Sequence, residues 1–195
     1  TEITSLTNKL DAPLLAGTVI QNRGKPQNAS ILYSKEGVVQ SSYVKRGLTP
    51  FGEYIPLRAL SEFISPFAER VVDFIPGDRR VVHEISGKIL GPIICYEIIH
   101  DDLVRDMAKN SEALIVQTNS ATFANTAQSA QQLAITRIRA VEHSKYILSV
   151  STIGISAFID NNGKVIDRTL ENKKASLTGE LFLSKYVTPV NRLFR

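Results

Sequence analysis

Short apolar stretches rich in β-branched residues recur along the whole chain, separated by polar and turn-forming segments. Stretches of this length and composition predict β-strands rather than helices. We predict strands at Leu14–Ile20, Ser30–Tyr33, Val38–Val44, Val81–Ile85, Ile89–Tyr96, Ala113–Thr118, Ile147–Val150, Ser156–Ile159 and Val165–Arg168.

Apolar residues also recur at helical steps of three and four in parts of the chain. Leu57–Val71 carries such a stripe, interrupted by Pro66, and a second helix is predicted at about Asp101–Lys109. The strongest pattern runs from about Thr126 to Ser144. Ala130, Leu133, Ala134, Ile138 and Val141 share one face of this helix.

The order of these elements predicts an α/β layered fold, because hairpins and strand–helix–strand units both occur. Glycine-containing connections at Lys35–Gly37, Ser86–Gly87 and Asn161–Gly163 predict the hairpins. We find no repeat and no linker, so we predict one domain over residues 1–195. Ile89–Tyr96 is apolar on both faces, which indicates a central strand, and Cys95 lies at its carboxyl end, where α/β proteins place their ligand sites.

Composition narrows the classes of function. The formal net charge of +4 is spread along the chain without a basic stripe that interleaves with aromatics, so we expect no nucleic-acid partner. The three histidines lack metal-ligand spacing, and we expect no metal or other cofactor. A single cysteine excludes an intramolecular disulfide, and no apolar run approaches the ~20 residues that a membrane-spanning helix needs.

Two segments carry candidate chemistry. A lone cysteine is typical of inert packing, but Cys95 has a carboxylate two residues on, at Glu97. In the other segment, Lys45 ends a predicted strand and Glu53 follows a turn with Pro50 and Gly52. Both side chains could face one cleft, where an ammonium would promote thiolate formation on the cysteine. Taken alone, Lys45 and Glu53 are more typical of surface charges on a loop.

Five short motifs follow one another in unbroken order between about Leu14 and Thr188. Together they resemble the carbon–nitrogen hydrolase, or nitrilase, superfamily, and within it the extracytoplasmic domains of bacterial apolipoprotein N-acyltransferases. The motifs are Lys45 with Pro50-Phe51-Gly52-Glu53, then Ile94-Cys95-Tyr96-Glu97, Arg105, Thr118-Asn119-Ser120-Ala121 and Arg137-Ile138-Arg139-Ala140-Val141-Glu142.

The resemblance implies a four-layer α-β-β-α sandwich with a Glu-Lys-Cys triad. Cys95 matches the nucleophile, Lys45 the triad lysine and Glu53 a further carboxylate near the site. Supporting or substrate-binding positions fall on Glu97, Asn119 and Thr122. Thr122 stands where the acyltransferases carry an aromatic residue, and Gln132 stands where a histidine often occurs. Glu2 lies too close to Gly17 for the triad glutamate, which is expected to precede residue 1.

The same resemblance implies an acyltransferase. It would move a fatty acyl group from a phospholipid, through a Cys95 thioester, to the N-terminal amine of a diacylglyceryl-cysteine apolipoprotein. The expected location is the extracytoplasmic face of the bacterial cell membrane, within a multi-pass protein whose membrane helices flank this domain. The apolar stretch Gly52–Pro76 is then either an arm that dips into the membrane surface or a helix that packs on the core.

Two alternatives stay open from the sequence. A soluble carbon–nitrogen hydrolase would use the same cysteine and lysine, with water as the acceptor in place of an amine. A non-enzymatic binding module would keep the sandwich without a working base.

Overall fold

The computed structural model describes residues 2–56, 72–121 and 126–193. Its internal contacts form two compact units, Thr1–Arg79 and Arg80–Arg195. The predicted helix at Leu57–Val71 and the candidate residue Thr122 lie outside the described residues. Every helix in the described ranges is too short or too polar to cross a lipid bilayer.

The first unit contains a three-stranded antiparallel sheet in the order β1-β2-β3. Helix α1 precedes the sheet and was not predicted, although Ile3, Leu6 and Leu10 recur in it at helical steps of three and four. The central strand pairs with a strand on each side, and most of its residues are buried. The element bounds are α1 Glu2–Leu10, β1 Leu14–Asn22, β2 Lys25–Tyr33 and β3 Val39–Val44.

The tight hairpin between β1 and β2 was not among the predicted ones. Its two connecting residues, Arg23 and Gly24, have φ of 50° and 77°. Two successive positive φ angles are typical of the two-residue turn whose twist matches that of the flanking strands. The strands therefore extend through polar residues to this turn, and β2 begins at Lys25 instead of Ser30.

The second unit contains a six-stranded mixed sheet in the order β4-β5-β6-β7-β8-β9. Strands β5, β6 and β7 are parallel, while β4, β8 and β9 pair with their neighbours in antiparallel register. The strands are β4 His83–Ile85, β5 Lys88–Ile94, β6 Ala113–Thr118, β7 Ile147–Ser151, β8 Ala157–Ile159 and β9 Val165–Arg168. The helices are α2 Asp101–Lys109, α3 Gln128–His143 and α4 Pro189–Leu193.

The core of the second unit is centred on β6, all of whose residues are buried. Its neighbour β5 has a strand on each side, which confirms the prediction that it is interior. The strand ends at Ile94, however, and the predicted end at Tyr96 was wrong. Cys95 begins a 3-10 turn that runs over Cys95–Ile99, hereafter the Cys95 turn.

Helix α3 confirms the predicted element. Of the apolar residues that share one face, only Leu133 is buried, whereas Ala130, Ala134, Ile138 and Val141 are exposed. The buried face instead consists of Ser129, Leu133, Thr136, Arg139, Ala140 and His143. Three of its polar members have hydrogen-bond partners: Thr136 bonds its own helix, Arg139 bonds the Ile98 carbonyl and His143 bonds Asn191.

Candidate active site

The first unit holds Lys45 at the end of β3. Its backbone N–H donates to the Asn28 carbonyl at 2.8 Å, and its carbonyl accepts from Gly77 N at 2.8 Å. These bonds place the side chain beside the turn that follows. Its Nζ donates to Glu53 Oε2 at 2.6 Å and to Thr49 Oγ1 at 3.0 Å. Only 1% of Lys45 is exposed, so the ammonium depends on these partners in place of water.

Both carboxylate oxygens of Glu53 accept hydrogen bonds. Oε2 accepts from Lys45 Nζ and from the Thr49 backbone N–H, each at 2.6 Å. Oε1 accepts from Asn28 Nδ2 in a short hydrogen bond. The local backbone closes the turn, because Glu53 N donates to the Thr49 carbonyl at 2.9 Å. A buried carboxylate with this many donors is a fixed counterion for the lysine.

The interpretation of Lys45 and Glu53 as loose surface charges is therefore wrong. The two side chains form a buried ion pair with each other, while the prediction that both face one cleft stays a prediction. Such a pair keeps a positive charge in a defined position, which a catalytic site can direct at a developing anion.

The second unit holds Cys95 at the carboxyl end of β5. The residue is half-buried and has a φ of 52°, a conformation that non-glycine residues seldom adopt. Backbone strain of this kind persists only where the surroundings impose it. The strand, the abrupt turn and the partly accessible sulfur together resemble the geometry by which α/β enzymes present a nucleophile.

Glu97 secures the start of the Cys95 turn. Its side chain is fully buried, and its Oε2 accepts from the Ile94 backbone N–H at 2.7 Å. The Glu97 carbonyl accepts from His100 N at 3.0 Å, which closes the turn. This carboxylate therefore supports the backbone around Cys95, the kind of role that the sequence motif predicts for it.

Asn119 lies at the same edge of the six-stranded sheet as Cys95, because β5 and β6 are parallel. The side chain is exposed, and its Oδ1 accepts from Ala121 N at 3.1 Å and from Thr152 Oγ1 at 2.9 Å. These bonds join the loops that follow β6 and β7. Asn119 thus organises this edge, while a role in binding substrate stays a prediction.

A cavity of about 450 Å³ opens beside the carboxyl end of β7. Ser151, Thr152 and Thr169 contribute hydroxyl groups to its lining, and Lys173 and Lys174 contribute positive charge. This volume is typical of small-molecule sites. The lining suits the polar or anionic part of a ligand better than a purely apolar one.

In each unit, neutral residues that contact the candidate side chains or their neighbours were not predicted. Asn28 and Thr49 position the buried ion pair, but neither belonged to a predicted motif. Asn28 fell outside the predicted strand, which was thought to start at Ser30. Gln132 was noted only as a departure, and its Nε2 donates to Thr118 Oγ1 near the edge that carries Asn119. Thr49 lies between Lys45 and Glu53 in the sequence, whereas no short-range signal indicates Asn28.

Comparison with known proteins identifies relatives over nearly the whole chain. The family model for carbon-nitrogen hydrolases matches residues 1–187. The apolipoprotein N-acyltransferase of Mycolicibacterium smegmatis is 34% identical, over 98% of this chain and 33% of that protein. The enzyme of the same name from Azotobacter vinelandii is 31% identical, over 92% of this chain and 36% of that protein. The chain thus spans about one third of the length of these curated relatives.

Solved structures show the same fold at low identity. An amidase mutant from Nesterenkonia sp., with the acetamide moiety of fluoroacetamide added covalently at its active site cysteine, superposes with a TM-score of 0.67 at 18% identity, covering 88% of this chain and 62% of that one. A branch 10 member of the nitrilase superfamily from Saccharomyces cerevisiae gives 0.68 at 18% identity, covering 88% and 60%. These likenesses confirm the predicted α/β fold of the nitrilase type.

Proposed function

Because this chain belongs to the carbon–nitrogen hydrolase family, we propose that it carries the catalytic cysteine of an apolipoprotein N-acyltransferase. The observation that carries the proposal is Cys95 itself, half-buried, with a left-handed backbone, at the carboxyl end of an interior strand. The two acyltransferase relatives, similar over more than nine tenths of this chain, favour acyl transfer over hydrolysis.

In the first half-reaction, the Cys95 sulfur attacks an ester carbonyl carbon of a phospholipid. A C–S bond forms and the ester C–O bond breaks, which leaves a thioester on Cys95 and releases a lysophospholipid. The thiol proton passes to a general base and then to the departing alkoxide. The resemblance to the family implies a glutamate in the role of this base.

In the second half-reaction, the N-terminal amine of a diacylglyceryl-cysteine apolipoprotein attacks the thioester. A C–N bond forms, the C–S bond breaks, and one amine proton returns to the sulfur through the same base. The result is an amide on the lipoprotein and a restored thiol on Cys95. Water has to be kept from the thioester between the two steps, since hydrolysis would waste the acyl group.

Lys45 is proposed to supply the positive charge that favours the Cys95 thiolate and the tetrahedral oxyanion. Its ammonium is buried and fixed by Glu53 and Thr49, so it needs little reorganisation during the reaction. One well-placed donor of this kind commonly contributes about 3 to 4 kcal/mol to catalysis. Glu97 is proposed to hold the Cys95 turn, and Asn119 and Thr122 to contact the acyl substrate.

The partners that follow are a phospholipid donor, an apolipoprotein acceptor and a membrane surface. We place the domain at the extracytoplasmic face of the bacterial cell membrane, in a multi-pass protein. The hydroxyl- and lysine-lined cavity beside β7 supports binding of a polar or anionic substrate group at the edge that carries Cys95.

The test is to incubate the full-length natural protein with a phospholipid of defined acyl chain and to record the mass of the Cys95 peptide. We expect a mass increase equal to one acyl group, which neutral hydroxylamine removes because thioesters are labile to it. Adding a diacylglyceryl-cysteine peptide should transfer the same group to its amine. The Cys95→Ala variant should show neither adduct nor transfer.

Other outcomes decide between the alternatives. A folded protein that leaves the phospholipid intact but releases ammonia from small amides would identify a hydrolase. A folded protein that does neither, and whose Cys95 reacts with iodoacetamide at the rate of an ordinary thiol, would identify a binding module.

A further inference from the structure

Arg139 contacts the C-terminal end of the Cys95 turn, whereas Glu97 bonds the residue just before its N-terminal end. Its Nε donates to the Ile98 carbonyl at 2.9 Å and its Nη2 to the Ile99 carbonyl at 3.0 Å. Carbonyls at the end of a helical turn lack partners within the turn and need donors from elsewhere. Two neighbouring N–H groups of one planar guanidinium meet two consecutive carbonyls, a geometry that a lysine ammonium cannot reproduce.

Two carboxylates hold this guanidinium in place. Nη1 donates to Glu142 Oε2 at 2.6 Å, and Nη2 also bonds Asp101 Oδ1 at 2.5 Å. Burial alone would lower the pKa of Arg139, but the bonds to Glu142 and Asp101 raise it above the ordinary value. The hydrogen bond from Arg139 in turn lowers the pKa of Asp101. Arg139 is therefore a permanent cation, with 8% of its surface exposed.

The Cys95 turn is thus held at both of its ends. Glu97 binds the amide of Ile94 just before it, and Arg139 binds the carbonyls of Ile98 and Ile99 at its end. Cys95 lies between these anchors in a backbone conformation that has to be imposed from outside. If both anchors are needed, loss of either should let the turn relax and the thiol change direction.

We propose that Arg139 is a positioning residue for the reaction of Cys95, because its guanidinium fixes the far end of the turn that carries the thiol. The inference rests on the proposed function, in which Cys95 is the nucleophile. Arg139 acts through the backbone of Ile98 and Ile99.

The same helix provides a matched control. Arg137 precedes Arg139 by two residues on α3, and its Nε donates to the Gly163 carbonyl at 2.7 Å, in the hairpin between β8 and β9. Both arginines thus bind backbone carbonyls of a turn, but only Arg139 binds the turn that carries Cys95. We compare Arg139→Lys with Arg137→Lys in the full-length protein.

Three measurements are made on each variant: the rate of Cys95 alkylation by iodoacetamide over about pH 6 to 9, the amide hydrogen exchange of residues 95–100, and the rate of thioester formation from phospholipid. For Arg139→Lys we expect alkylation at pH 7 and thioester formation to fall by about tenfold or more, with faster exchange in the turn. For Arg137→Lys we expect all three to stay within about twofold of the natural protein.

The inference is overturned if Arg139→Lys keeps natural exchange and natural alkylation. If Arg139→Lys does not fold, Glu142→Gln replaces it, since that change weakens the hold on the guanidinium and leaves Arg139 itself intact. It should produce an intermediate fall with the same faster exchange, and natural values would again overturn the inference. Failure of the proposed function looks different: the natural protein would form no thioester, while exchange and alkylation would still report on Arg139.

Discussion

At the scale of single residues, the carboxylate of the Lys45–Glu53 ion pair accepts an unusually complete set of hydrogen bonds. The donors on the two carboxylate oxygens are Asn28 on one side, and Lys45 with the Thr49 amide on the other. A glutamine side chain in place of Glu53 has one oxygen and one NH₂ group. Its NH₂ group would face either Asn28 Nδ2 or the Lys45 ammonium, both of which are donors. The donors around Glu53 therefore suit a carboxylate and do not suit a neutral amide of the same shape.

Glu53→Gln should consequently lower the free energy of unfolding by about 3 kcal/mol, because it leaves a buried ammonium or amide donor without its acceptor. Chemical denaturation at neutral pH measures this change.

Asp11→Asn is the matched acid-to-amide control in the same unit. Asp11 pairs with Lys35 at 3.6 Å, and their side chains are 85% and 59% exposed. An exposed pair contributes little, so a change below about 0.5 kcal/mol is expected. Equal effects of the two substitutions would contradict the account of the buried pair.

Sequence analysis predicted the charged residues of this cluster but none of the neutral ones that position them. Lys45 and Glu53 stand in a motif with proline and glycine, which is visible in the sequence. Asn28 lies on β2, and the antiparallel pairing of β2 with β3 places it next to Lys45, where it reaches Glu53. A partner defined by strand pairing leaves no signal at a fixed spacing along the chain.

At the scale of elements, the end of β3 requires a glycine in the segment that passes over it. A Cβ on Gly77 would lie 2.4 Å from the Val44 carbonyl oxygen, a backbone atom that cannot rotate away. The Gly77 amide meanwhile donates to the Lys45 carbonyl at 2.8 Å. Any side chain here would force the segment away from β3 and stretch this bond.

Gly77→Ala should therefore destabilise the protein by about 1 to 3 kcal/mol, the usual range for overpacking. Thermal and chemical denaturation measure the loss. Gly52→Ala is the control, because a Cβ there would lie 3.5 Å from Thr49 Cγ2, an ordinary van der Waals distance. If both variants lose equal stability, steric conflict at Val44 is not the cause.

Helix α3 shows what hydrophobic periodicity can predict and what it cannot. Its existence and bounds followed from the pattern, but the apolar stripe with Ile138 and Val141 is exposed. The opposite face is buried because Arg139 and His143 find acceptors and donors on other elements. Amphipathic spacing identifies two faces, and the face that is buried depends on partners far away in sequence.

At the scale of the whole molecule, stability should depend on buried histidines. Burial lowers the pKa of His83 to about 4 and also lowers that of His143, although hydrogen bonding to Asn191 and the charge of Glu142 oppose the second shift. Both pKa values in the unfolded chain lie near 6.5. As the pH falls below 6.5, the unfolded state therefore binds protons that the folded state does not, and the folded state loses stability.

For His83 alone the loss should reach about 3 kcal/mol as the pH falls from about 6.5 to 4. Urea denaturation across this range measures it. His83→Gln removes the titrating group, so the difference in unfolding free energy between pH 7 and pH 5 should shrink, whatever the variant does to absolute stability. Parallel curves for the natural protein and the variant would refute the assignment.

Local patterns in the sequence were enough to predict the α/β class, the strands, most of their turns and the charged candidate residues. These features depend on short-range rules, namely alternation, turn chemistry and motif spacing. Three features became visible only in the folded molecule: which face of α3 is buried, which neutral side chains hold Lys45 and Glu53, and how Arg139 reaches the Cys95 turn. These depend on strand register and helix packing between distant segments, where burial is tolerable only if each polar group finds a partner.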